Sequence, residues 1–188
     1  RGAKVHCVTT QPDTAPDIIG VEVTSVETAE EMARAVAGRA PDADIVLMAA
    51  AVADFRPAVV ATQKIKKVDG LPELRLVPTT DILTRLGQQR TQNQVLVGFA
   101  AETIELHQNA TAKLVAKGVD LIVANDVSAP SVGFGYDTNA VLILDADGGV
   151  TEVPLSDKRE VARVVIDVAL ESRRLVPNTE RSEDEDSR

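Results

Sequence analysis

Three short runs with no polar residue, Ile45–Ala50, Val95–Ala100 and Leu121–Ala124, constrain this chain more than any other feature. Each is too short for a buried helix and lacks the alternation of a strand with one wet face, so each reads as a strand buried on both faces. Between the last two lies a helical pattern with Ala112, Leu114 and Val115 among its apolar positions and Gly118 as its C-cap. Residues 3–9 and 21–26 read as earlier strands, and Thr28-Ala-Glu-Glu31 is a capping box opening a helix that ends near Gly38. Leu74–Val77 is a short alternating strand, and Thr79 and Thr80 cap a helix running to about Gln89. Strand alternates with helix, which predicts an α/β fold with a parallel sheet covered by helices on both faces.

After Leu121–Ala124 the pattern changes. Ala140–Leu144 and Val150–Leu155 flank Asp145-Ala-Asp-Gly-Gly149, a hairpin signal, and Asp157 to about Arg174 is a closing helix. No internal repeat and no long linker interrupts the body, so 1–176 is expected to form one domain. Residues 177–188 are an acidic run without apolar periodicity, expected to be a disordered tail.

Composition removes several function classes. The net charge of -9 argues against non-specific nucleic-acid binding. A lone cysteine, Cys7, allows no disulfide within the chain, and two histidines, His6 and His107, without paired spacing make a zinc site or a His-based nucleophile relay poor readings. No apolar run reaches membrane-spanning length and no secretory signal opens the chain, so the expectation is a cytoplasmic protein with no membrane partner.

In an open α/β sheet, ligands collect beyond the carboxyl ends of the strands. Four segments belong there: Ala49–Pro57, Thr79–Leu83, Gly98-Phe-Ala-Ala-Glu-Thr103 and Asn125-Asp-Val127. The first is an Ala-rich turn leading through Asp54 and Phe55 to Lys64-Ile-Lys-Lys67, and small side chains let a ligand approach the backbone. Five of the seven lysines are Lys64, Lys66, Lys67, Lys113 and Lys117. A compact ammonium suits phosphate, while the bland reading is a solvated loop, and charge alone leaves the two balanced. Lys113 and Lys117, spaced i, i+4, share a helix face that either meets the ligand edge or faces water. Phe99 and Phe55 could stack on a planar ligand, whereas Phe134 and Tyr136 read better as loop plugs. Gly133-Phe-Gly-Tyr136 lacks the third glycine of a dinucleotide loop and reads as a turn; no Walker A sequence is present. Phosphate binding would then fall to lysines and to helix amides such as those of Thr79-Thr-Asp-Ile82.

Taken together, Ala49-Ala-Ala-Val-Ala-Asp-Phe-Arg-Pro57, Lys64-Ile-Lys-Lys67, Asp81-Ile-Leu83, Gly98–Thr103, Lys117-Gly-Val-Asp-Leu-Ile-Val-Ala-Asn-Asp126 and Phe134 with Asp137-Thr-Asn139 resemble bacterial phosphopantothenoylcysteine synthetase over nearly all of residues 1–175. In many bacteria that domain follows an FMN-dependent decarboxylase in one bifunctional protein, so FMN is expected only in such a fused domain. The resemblance implies a Rossmann-like sheet and a homodimer, with the Ala-rich turn and the late hairpin as candidate dimer contacts. It also implies ligation of L-cysteine to 4′-phosphopantothenate through an acyl-cytidylate made from CTP with Mg2+. On the same basis Met48, Ala49, Ala50 and Asp54 contact the nucleotide, Lys64 acts at its phosphates as the catalytic residue, and the segment from Lys64 onward is a mobile flap. Thr80, Asp81, Ile82, Leu83 and Phe99 line the pocket, which Lys113 and Lys117 complete.

Two departures accompany the resemblance. Arg1-Gly-Ala-Lys4 corresponds to the end of the family's first helix, so the expectation is a chain lacking the first strand, glycine-rich turn and helix. Thr79-Thr80 stands where relatives often carry Asn-Pro, and the cap survives. Two other readings stay open from the residues: a Rossmann-type nicotinamide oxidoreductase, disfavoured by the missing fingerprint and the missing Tyr-x-x-x-Lys pair, and a non-catalytic nucleotide-binding or assembly domain.

Overall fold

The computed structural model describes residues 2–14, 20–66, 73–102, 105–126 and 135–175. They fall into two compact units, one of residues 1–39 and 50–82, the other of residues 40–49 and 83–188.

The first unit holds β1 (Val5–Thr9) and β2 (Val21–Ser25), paired in parallel with Val5 opposite Val21, and α1 (Ala29–Arg39), whose Met32 and Ala33 are buried. The capping box forms as expected. Glu31 N–H donates to Thr28 Oγ1 at 3.2 Å, and the Glu31 carboxylate accepts from the N–H groups of Thr28 and Glu27 at 3.2 and 2.8 Å. These bonds satisfy amides that would otherwise be orphaned at the helix start. In the same unit the strand expected at Leu74–Val77 forms as β5 (Leu76–Pro78), and it pairs antiparallel with a strand the sequence pattern did not announce, β4 (Phe55–Pro57), Phe55 opposite Pro78.

In the second unit a five-stranded sheet has the order β3-β6-β7-β8-β9, where β3 is Ile45–Met48, β6 Val95–Glu102, β7 Leu121–Asp126, β8 Thr138–Asp145 and β9 Val150–Asp157. The three strands carrying the apolar runs are parallel neighbours, and the hairpin β8–β9 extends the same sheet antiparallel. The sheet is therefore parallel at one side and mixed overall. Asp145 explains the hairpin turn: its Oδ1 accepts the N–H groups of Asp147 and Gly149 at 2.9 and 2.8 Å, while Gly148 takes φ +91°. Only glycine adopts that backbone cheaply. Pro154 lacks an amide for a further ladder and sits on β9, the sheet's edge strand.

Both faces of the sheet are covered. Val95 and Val97 of β6, Leu121 and Val123 of β7, and Val141 and Ile143 of β8 form one cluster with Val161, Val165 and Ala169 of α4 (Lys158–Leu175). On the opposite face Gly98 lies under Leu83 of α2 (Ile82–Gln89), and a Cβ there would meet Leu83 Cδ2 at 2.6 Å and Ile122 Cδ1 at 2.8 Å. Helix α3 (Leu106–Lys117) ends at Gly118 with φ +62°, donating its N–H back to the Leu114 and Val115 carbonyls. Helix α2 crosses α3 at Gly87, where a Cβ would fall on the Lys117 carbonyl oxygen. Gln94, the only buried polar residue among those described, donates Nε2 to the Ala40 and Ala43 carbonyls and so fastens the approach to β3.

Candidate functional site

Strand alternation decides which predicted residues share a face in the sheet unit. Met48 pairs with Gly98 and Ile45 with Val95, so Met48 lies on the face of Gly98 and Leu83. Phe99, one step on, points to the opposite face, that of Val95 and Val97, and is 37% exposed. The structure thus brings Met48 and Leu83 to one face, with Lys113 reaching Glu102 at the carboxyl end of β6; Lys117, which ends α3 just before β7, lies toward the amino ends of the strands, and Phe99 is on the other side of β6. A ligand lying across the strand ends could touch both.

Helix α3 presents Asn109, Lys113 and Lys117 as one i, i+4, i+8 stripe beside the buried Ala110 and Leu114. Lys113 Nζ lies 3.5 Å from Glu102 Oε1, and Asn109 Nδ2 donates to Glu102 Oε2 at 3.5 Å. Glu102 ends β6, with only 20% of its side chain exposed, against 37% for Lys113. This acid is the residue that reading the sequence for a site passed over. Helical spacing puts Asn109, Lys113 and Lys117 on one stripe, but only the packing of α3 brings Asn109 and Lys113 of that stripe to Glu102.

In the other unit the turn after β3 is tied to the segment that leads into α2. Thr79 Oγ1 donates to the Ala53 carbonyl at 2.5 Å and Thr79 N–H to the Asp54 carbonyl at 2.9 Å, continuing the β4–β5 ladder. Asp54 and Thr79 are therefore held by backbone pairing at one end of that strand pair, with Thr80, Asp81 and Ile82 following directly and the Ala50 carbonyl accepting from Val52 N–H within the turn. Thr80 Oγ1 also reaches Glu30 Oε2 at 3.5 Å. Lys64 and Lys66 are exposed on a stretch without regular structure between β4 and β5. Lys67, Thr103, Val127, Phe134 and the tail lie outside the described residues, while Tyr136 is 51% exposed.

Away from the strand ends, surface charge is organised around acids. The His6 ring, bonded to Glu22 at 3.0 Å, holds the Glu22 carboxyl below the ordinary carboxylate range, with Lys4 and Arg39 adding to the effect. The backbone amides of Glu27 and Thr28 do the same for Glu31. Among the described residues no group of three or more His, Cys, Asp and Glu side chains is placed to hold a metal ion. No helix among them is long and apolar enough to cross a membrane.

Residues 1–172 match the family model of the DNA/pantothenate metabolism flavoprotein C-terminal domain. The chain belongs to that family. Among curated relatives of this flavoprotein C-terminal domain, the coenzyme A biosynthesis bifunctional protein CoaBC of Bacillus subtilis is 48% identical over 141 residues, which are 75% of this chain and 34% of that protein. The CoaBC of Mycobacterium bovis is 40% identical over 177 residues, 89% of this chain and 42% of that protein. The chain thus spans less than half the length of these two relatives. Among solved structures, the C-terminal domain of a CoaBC superposes with TM-score 0.70 at 34% identity, covering 90% of this chain and 75% of that one. A Cab2 mutant solved in complex with phosphopantothenate-cysteine shares the fold at TM-score 0.64 and 20% identity, covering 81% of this chain and 54% of that one. The expected α/β architecture is that of the CoaBC C-terminal domain.

Proposed function

We propose that this chain supplies the ligase part of a CTP-dependent phosphopantothenate–cysteine ligase in coenzyme A biosynthesis. The observation that carries the reading is the 48% identity to CoaBC across three quarters of the chain. A carboxylate oxygen of 4′-phosphopantothenate attacks the α-phosphorus of CTP, and the bond to pyrophosphate breaks. The amine of L-cysteine then attacks the acyl carbon of the resulting acyl-cytidylate, CMP leaves with the C–O electrons, and the amine proton passes to solvent or base.

Such a path asks the protein chiefly to position reactants and neutralise charge. We assign nucleotide contact to Met48, Ala49, Ala50, Asp54, Thr80, Asp81, Ile82, Leu83 and Phe99 on the strength of the family resemblance. Lys64, Lys113 and Lys117 meet the phosphates, Lys64 at the reacting centre. Mg2+ typically keeps several waters and needs only one or two carboxylates beside the substrate phosphates. We propose that Mg2+ arrives on the nucleotide. We assign FMN to the decarboxylase part of a bifunctional parent, and we propose a cytoplasmic homodimer.

In the protein carrying this chain, CTP at a hundred times its Kd should stabilise the fold by about 2.7 kcal/mol. ATP should do far less, and Lys64→Ala should lower pyrophosphate release on the order of 10²-fold or more. An equal shift with NADPH overturns the reading in favour of an oxidoreductase; CTP binding without turnover overturns it in favour of a non-catalytic domain.

A further inference from the structure

We infer that Glu102 is the positioning residue of Lys113, holding its ammonium at the carboxyl end of β6 ready for a phosphate. The inference rests on the nucleotide-binding reading and deepens it. Two ammoniums at i, i+4 on one helix face repel each other, and a long lysine side chain with four rotatable bonds samples many rotamers. A phosphate site built on them works only if the charges are aimed before the ligand arrives. Glu102 meets both requirements. It places a carboxylate 3.5 Å from Lys113 Nζ and takes a hydrogen bond from Asn109, the preceding member of the same stripe, at its other oxygen. The carboxylate is itself fixed, because it ends a strand paired to β7 through Glu102 opposite Asp126, and four-fifths of its side chain is shielded from water. An ion pair this sheltered is weakened by salt less than the exposed pairs of α4, where Arg163 bridges Glu160 and Asp167 with all three side chains 39–55% exposed.

The experiment is nucleotide kinetics on the protein carrying this chain, in a four-way cycle of wild type, Glu102→Ala, Lys113→Ala and the double variant, with Glu102→Gln alongside. Glu102→Ala should raise KM for the nucleotide about fivefold with kcat within twofold. Glu102→Gln, which keeps one acceptor oxygen for Lys113 and can donate its amide N–H to the Asn109 side-chain oxygen once that amide flips, should recover part of that loss, and Glu102→Ala should have no further effect on KM once Lys113 is alanine. A purely structural acid would lower kcat or melting temperature in both backgrounds alike, and that result overturns the proposal. A lower KM in Glu102→Ala overturns it too, since the acid would then compete with phosphate for Lys113. If the wild type releases no pyrophosphate with CTP, the functional reading fails instead; an active wild type with an unchanged KM in Glu102→Ala sinks the positioning role alone.

Discussion

The two units hold their candidate residues by different means. In the sheet unit, Leu96, Leu121, Ile122 and Ile143 are less than 2% exposed, so Met48, Glu102 and the α3 lysines sit on elements locked by packing. In the other unit, Phe55 of β4, Leu76 of β5 and Leu74 just before β5 are more than half exposed. There Asp54 is placed by the Thr79 amide and, through the Ala53 carbonyl, the Thr79 hydroxyl, and Thr80 by its hydroxyl on Glu30. Buried contacts resist local opening, whereas a short ladder in water opens readily. Rigid charge carriers thus occur in one unit and adaptable backbone in the other.

The largest effect that could break this contrast is in hydrogen exchange. Amides of β6 and β7 should exchange only through global unfolding, and those of β4 and β5 at least about 10³-fold faster. Comparable protection in both would remove the distinction. Side-chain truncation comes next. Leu121→Ala leaves a cavity in a closed core and should cost about 2–5 kcal/mol in denaturant unfolding, while Phe55→Ala should stay within about 0.5 kcal/mol. A Phe55→Ala loss as large as that of Leu121→Ala would mean that β4 is packed in solution.

The smallest effect is in pH. Glu22 and Glu31, both in the unit with little core, have folded pKa values below the ordinary carboxylate range. Each therefore contributes stability that is complete above the unfolded carboxylate pKa and is lost as pH falls through the lowered folded value. Denaturant midpoints should decline between about pH 5 and pH 3, and Glu22→Gln or Glu31→Gln should flatten the decline. A wild-type profile that is flat in that range would show that these pairs carry no weight.

What could be read from the sequence depended on how local each signal was. The capping box, Gly118, the Asp145–Gly149 turn and the three apolar runs act within a few residues, and each marked its element to within about two positions. The alternation at Leu74–Val77 marked β5, but β4 and its pairing with β5 were not foreseen because β4 has only three residues, includes a proline and lies some way back along the chain from its partner. The same holds for Glu102: its partners Asn109 and Lys113 are fixed by where α3 packs, and no spacing rule joins a strand end to the next helix. Lys113 and Lys117 could be placed on one face from the sequence, but whether that face met the strand ends could not.

The position of β3 has a consequence for the order of assembly. Strands β8 and β9 join through a tight hairpin, and β6 and β7 are linked by a single helix, yet β3 ends at Met48 and its partner β6 begins only at Val95. Residues 50–82 of the other unit and helix α2 lie between them, so docking β3 closes a long loop whose entropy must be met before any contact repays it. The sheet should therefore zip from its antiparallel edge toward β3, with Gln94 latching the last strand, and the carboxyl end at Met48 would be completed last.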